Sequence, residues 1–168
     1  MQLEKEYLNL ISNRFSQTFG RFALAAGQLD DEQIWYRQSI YMNSVGILFQ
    51  HLNGNLNQWI CSSIGGENFQ RNRDQEFLDT DRKSKEEIIN MMDSLGKKVQ
   101  NVISNVAPET LLNPINIQGN DTTIMSALLF VLAHFELHTG QVMMMAKLIL
   151  GEKYIASWKP SSAGQSKK

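Results

Sequence analysis

The chain has 168 residues, 42% of them hydrophobic, with 16 basic and 17 acidic side chains and one cysteine. That length suits one domain with a real core. Near-neutral charge with no basic block beyond the terminal "SKK" gives nucleic acid no electrostatic footing, and a lone Cys61 excludes an internal disulfide and fits a reducing compartment.

In chain order, "MQLEKEYLNLISNRF" is acidic early and has no apolar h-region, so it is not expected to be a secretory signal. Leu8, Ile11, Phe15, Phe19, Phe22 and Ala26 recur at steps of three and four and predict a helix over about 2–27. "LDDEQIWYR" (29–37) reads as a connector with at most one helical turn. Asn43 or Ser44 caps a second helix, whose stripe is Val45, Leu48, Phe49, Leu52, Leu56 and Ile60. Gly65 and Gly66 end it, and a polar loop follows to residue 83. Ser84 with Glu87 forms a capping box. Ile88, Met92, Leu95, Val99, Val102 and Val106 then step as a seam for helix three.

Pro108 and Pro114 bracket the next connection, in which "INIQGND" holds one extended segment. Asp121 is the expected cap of helix four, about 122–150, with Gly151 ending it. Four amphipathic helices without strand partners predict an all-α four-helix bundle over residues 1–158, with a low-complexity tail at 159–168. The apolar run 127–150 is broken by His134, Glu136, His138, Gln141 and Lys147, which argues against a membrane span. A soluble, cytoplasmic protein is expected.

Helix four can be read as a seam of Ala127, Val131, His134, His138, Gln141, Met145 and Leu148. His134 and His138 then lie one turn apart on its buried stripe, about 6 Å along the axis. His51, the only other histidine, flanks the stripe of helix two, and Asn55 is one turn on. Two imidazoles at i and i+4, joined by a third from a neighbouring helix, can make a triangular face for Zn²⁺, Ni²⁺, Fe²⁺ or Co²⁺. Such binding should weaken below about pH 6, because ligation needs neutral imidazole. Buried hydrogen-bonded imidazoles or a ligand pocket are the alternatives. Asn55 and Gln141 are the polar neighbours. Cys61, at a different angle on helix two, reads as an inert thiol. No catalytic residue is assigned.

"NSVGILFQHLNGNL" and "LAHFELHTGQVMMMAKLI" match G-x-x-x-x-H-L and H-x-x-x-H-x-G-Q patterns, and "GGENFQRNRDQEF" lies between them. In these motifs the chain resembles the DinB-like superfamily, which includes the bacillithiol S-transferases, and the third motif resembles an uncharacterised branch of it. The resemblance spans about residues 40–150. It implies up-down-down-up wiring, a homodimer, and a divalent metal held by His51, His134 and His138. It carries over no substrate. Metal-dependent transfer of a low-molecular-weight thiol, or hydrolysis, with the ion as Lewis acid is one expectation, and a non-catalytic bundle that only holds a metal or ligand is the alternative. The sequence departs from the closer branch in having no basic residue in "INIQGND".

In "RNRDQEF", Arg71 and Arg73 with Asp74 and Glu76 can order the loop by charge-assisted hydrogen bonds. The functional alternative is that one arginine grips a carboxylate of the thiol. On helix four, Leu129, Phe130, Leu132, Leu137, Met143 and Met144 lie off the seam, more apolar surface than one core covers, which also predicts a homodimer.

Overall fold

The structure is a computed structural model and describes residues 2–158; the expected tail at 159–168 lies outside the described residues. Five α-helices carry the fold: α1 (Gln2–Ala26), the short α2 (Asp31–Trp35), α3 (Val45–Leu56), α4 (Lys85–Asn105) and α5 (Ile124–Leu150). The four long ones share one core, α1 packing on α4 and α5 and α3 on the same two helices. Phe15, Phe22, Phe49 and Phe135 are its largest fully buried side chains.

Local chemistry sets most boundaries. Ser44 accepts from the Ile47 amide and starts α3, and the Ser84–Glu87 capping box starts α4 as its pattern predicts. Asp30 and Gln33 form a second capping box, so the connector's helical turn is a capped α2. Trp35 then donates its indole N–H to the Lys83 carbonyl (2.9 Å) and lies against Gly46, where a Cβ would meet the ring at 2.6 Å. The glycine of the G-x-x-x-x-H-L motif is therefore a packing residue. After Leu56 the helix widens into a π-helical turn, Asn57–Ser62, and ends where Gly66 takes a positive φ of 77°.

Two expectations need correction. "INIQGND" holds a hairpin, β1 (Pro114–Ile117) against β2 (Asn120–Thr123), rather than one extended segment. Its two-residue turn places both Gln118 (φ 52°) and Gly119 (φ 83°) on the positive side, the twist a tight hairpin requires. Asp121 accordingly sits in β2, accepting from the Asn116 amide at 2.6 Å, and Thr123 caps α5.

The buried stripe of α5 also differs. It comprises Ala127, Leu128, Val131, Leu132, Phe135, Thr139, Val142 and Ala146, so Leu132 is core, Leu148 is exposed and Met143 is half-buried. Phe135 and Val142 take the centre because imidazole and amide groups lose more on leaving water. The line His134–His138–Gln141 runs along the flank instead, from half-buried to exposed. By length and composition alone α5 could cross a membrane, but it packs on α1 and α3 as a core helix.

Candidate metal centre

The flank of α5 faces α3, and there the three histidines meet. One ring nitrogen from each of His51, His134 and His138 lies within 4.8 Å of the others. Nε2 of His51 is 2.8 Å from Nε2 of His134, and the ring centroids are 4.5–5.1 Å apart. His51, expected at an edge of its helix, is only 5% exposed, because α2, α4, α5 and the following loop cover α3. His134 and His138 are half-buried. Phe130 stacks on His134, with Trp59 from the π-helical turn beyond it, and Phe77 lies against His51.

Behind His51 stands a buried ion pair. Glu76, in a 3-10 turn over Asp74–Phe77, receives two hydrogen bonds from Arg71 (2.6 and 2.7 Å) and contacts Nδ1 of His51 through Oε2 at 3.0 Å. Burial alone would raise the Glu76 carboxyl, but the hydrogen bonds from Arg71 and His51 and their charges outweigh it and hold the group below the ordinary carboxylate range. An ionised carboxylate only accepts, so Nδ1 of His51 is the donor in this contact, which is shorter than the 3.4 Å from Nδ1 to Arg71 Nη2, and in the neutral ring Nε2 then carries the lone pair. Gln118, at the hairpin tip, accepts from Arg71 at 3.4 Å. Gly54 makes room for the carboxylate: a Cβ there would lie 1.9 Å from Glu76 Oε1.

The other side is simpler. Nδ1 of His138 donates to Gln141 Oε1 at 2.8 Å, which turns its Nε2 lone pair inward. Burial, the neighbouring histidines and the charges of Arg71 and Arg73 push His134 down to about 4. Burial and His51 also lower His138, against the opposing effect of its hydrogen bond to Gln141. Both rings are neutral at pH 7, the form that ligates a metal. The residues fit an ion by these criteria: converging ring nitrogens, tautomers fixed from outside at His51 and His138, and neutral imidazoles at His134 and His138. Three histidines this close could hold a metal ion.

The remaining candidates divide. Asn55 is buried, and its Oδ1 has no hydrogen-bond partner among the described residues. Gln141 is exposed and lines a cleft of about 340 Å³ with Tyr41, Leu48 and Met144. Arg71 is committed to Glu76, while Arg73 is exposed on a second cleft, of about 480 Å³, lined by residues 70–74. Of the ion pairs expected within the loop, Arg71–Glu76 forms. Cys61 is buried and its thiol is pushed up to about 11 by burial, so it is no nucleophile. Glu136, two residues from each histidine of α5, faces α1 and pairs with Arg14 at 2.6 Å.

The arrangement of long helices is similar in fold to a solved DinB-like structure. A DinB-like protein from Bacillus cereus ATCC 10987 superposes with a TM-score of 0.68 at 15% identity, covering 92% of this chain and 97% of that one. A conserved protein from Enterococcus faecalis superposes at 0.70 and 14%, covering 86% and 97%. At such identities the likeness is one of fold. The chain belongs to the family described as "protein of unknown function (DUF1572)", which matches residues 2–161. No curated protein matches the chain.

Proposed function

We propose that this protein is a metal-dependent enzyme that joins a low-molecular-weight thiol to a small electrophile, with His51, His134 and His138 as ligands. The observation that carries the reading is their ring nitrogens within 4.8 Å of one another, with no fourth His, Cys, Asp or Glu in that group among the described residues. Three protein ligands with a position to spare is the catalytic rather than the structural zinc pattern. An ion held there, Zn²⁺, Ni²⁺, Fe²⁺ or Co²⁺, would supply Lewis acidity. The chain's own residues prepare the surroundings. The exposed Arg73, whose charge reaches His134, favours an anion beside it. Asn55 offers a buried acceptor, and Gln141 a polar edge to the 340 Å³ cleft. With Cys61 buried and protonated, the reacting thiol comes from outside.

The second reading is a non-catalytic bundle in which the metal only ties α3 to α5. It draws on Arg71, which is spent on Glu76 rather than held toward a substrate. The test is conjugation of a small electrophile with a panel of biological thiols, using metal-loaded protein, chelator-stripped protein and His134→Ala. The enzyme reading expects a metal-dependent rate that vanishes in the variant. No metal-dependent rate with any thiol, or with water as acceptor, leaves the binding role.

We further read the four long helices as an up-down-down-up bundle in a single domain. Tyr7 bonding the Met125 carbonyl and Gln28 bonding that of Ile155 support α1 and α5 running together. Gln100 on Ser12 supports α4 opposing α1, and Trp59 on Phe130 with His51 on His134 supports α3 opposing α5. A cytoplasmic homodimer is proposed on the same footing, with no role for nucleic acid or membrane. Leu129, Phe130, Leu137, Met144 and Leu148 of α5 are each more than half exposed, a surface that a second copy would cover.

A further inference from the structure

We infer that Glu76, braced by Arg71 and admitted by Gly54, is a positioning residue for His51: it holds the ring as the Nδ1–H tautomer and turns Nε2 toward His134 and His138. The inference rests on reading the three histidines as a metal face, and it adds the element that makes His51 fit for that face. Glu76 lies 25 residues from His51, on another segment, yet the two are both buried and 3.0 Å apart.

Three observations point the same way. The carboxylate is oriented from behind by both Arg71 hydrogen bonds, so its Oε2 is presented to Nδ1 at a fixed angle. The other face of the ring is placed for that role: Nε2 of His51 lies 2.8 Å from Nε2 of His134, so a lone pair there is turned into the cluster. Helix α3 carries a glycine where any Cβ would strike the carboxylate, at 1.9 Å from Oε1. A glycine inside a helix costs about 1 kcal/mol relative to alanine, and here clearance for Glu76 is what it provides. A carboxylate behind a ligating histidine fixes both its tautomer and its orientation, and losing such a partner lowers metal affinity about 10–100-fold.

The test uses the full chain as wild type, Glu76→Ala, Glu76→Gln and Gly54→Ala, with His51→Ala for assignment. Gly54→Ala matters because it leaves Glu76 chemically intact and suits a helix, while its Cβ would crowd the carboxylate, 1.9 Å from Oε1 and 2.7 Å from Cδ. Long-range ¹⁵N–¹H NMR of metal-free protein at pH 8 reads the tautomer. Chelator competition reads Zn²⁺ and Co²⁺ affinity, and circular dichroism reads the fold.

The expected result is His51 as Nδ1–H in the wild type, with Nε2–H appearing in Glu76→Ala and Gly54→Ala. Affinity should fall about 10–100-fold in both. Glu76→Gln keeps an acceptor oxygen and should retain part of what Glu76→Ala loses. Finding Nε2–H in the wild type, or an unchanged tautomer in both alanine variants, overturns the inference, as does affinity within twofold of wild type in both. Failure of the wild type to bind either ion would strike the metal reading alone, because the NMR measurement decides the role of Glu76 without an ion.

Discussion

The two sides of the histidine cluster are built differently. His51 is buried, and its outer nitrogen meets a carboxylate that arrives from a loop 25 residues away, itself clamped by a buried arginine. His138 is half-buried, and its outer nitrogen meets Gln141, three residues on along the same exposed helix flank. One side depends on the tertiary fold and the other on helical spacing alone. The difference teaches where rigidity resides: the loop side fixes the direction of a ligand from a buried position, while the α5 side holds its ligand through an exposed glutamine.

The largest effect that would break this comparison is removal of the ring between the two sides. His134 touches His51 and neighbours His138, so His134→Ala leaves no triangular face. Element analysis of purified protein should show stoichiometric divalent metal in the wild type and only background in the variant. Full retention of the ion would mean that His51 and His138 bind without the bridge, and the three-ligand reading would be lost.

Next in size is the response to acid. An unfolded histidine titrates near 6.5, whereas folded His134 is pushed down to about 4 and His138 is also lowered. Between those values the unfolded chain binds more protons, so the metal-free fold loses stability as pH falls from about 6.5 toward 4 and levels off below. Urea midpoints for the wild type should decline across that window, and those of His134→Gln should decline less. The same depression concerns His134 itself: protons compete poorly for this ring until about pH 4. Its ring signals in an NMR titration of the metal-free protein should therefore stay those of neutral imidazole at about pH 5.5, and protonation above about pH 6 would contradict the burial assigned to it.

How much of this could be read from the sequence depended on whether the determinants were local. The pair His134 and His138 is a spacing within one helix, and the Ser84–Glu87 box is a spacing within one turn; both survive intact. The Asp30–Gln33 box has the same pattern and was legible too, but a connector reading concealed it. The stripe of α5 was misplaced because apolar residues occupy two adjacent registers of that helix. Only packing against α1, where Phe15 and Phe19 meet Phe135, decides between them. The hairpin was missed because Gln118–Gly119 lacks the Asn or Asp that announces such a turn. The link from Glu76 to His51 had no signal in spacing at all. Gly54 was the one available clue, a glycine inside an otherwise well-formed helix.

A smaller effect sharpens the contrast directly. Gln141 is exposed, so water can replace its oxygen on Nδ1 of His138 when Gln141 is cut to alanine. Zn²⁺ affinity should fall by less than about tenfold in Gln141→Ala, against the 10–100-fold expected for Glu76→Ala. Equal losses in the two variants would show that burial behind His51 confers no additional constraint.

The smallest expected effect belongs to Cys61, and it separates the fold from the chemistry. Its thiol is fully buried, raised to about 11 by burial and by Glu67, and packed in the hydrophobic core. Cys61→Ala removes one buried sulfur, at a cost of about 1–2 kcal/mol in stability by analogy with small core truncations. Metal affinity should stay within twofold of wild type, because no atom of Cys61 belongs to the histidine group. Any metal-dependent thiol conjugation should likewise persist, since the reacting sulfur is supplied by the substrate. Loss of that rate in a variant with an unchanged urea midpoint would place Cys61 in the reaction and overturn the assignment of an external thiol. A parallel loss of rate and stability would instead mark it as core, and measuring both on the same preparation distinguishes the two.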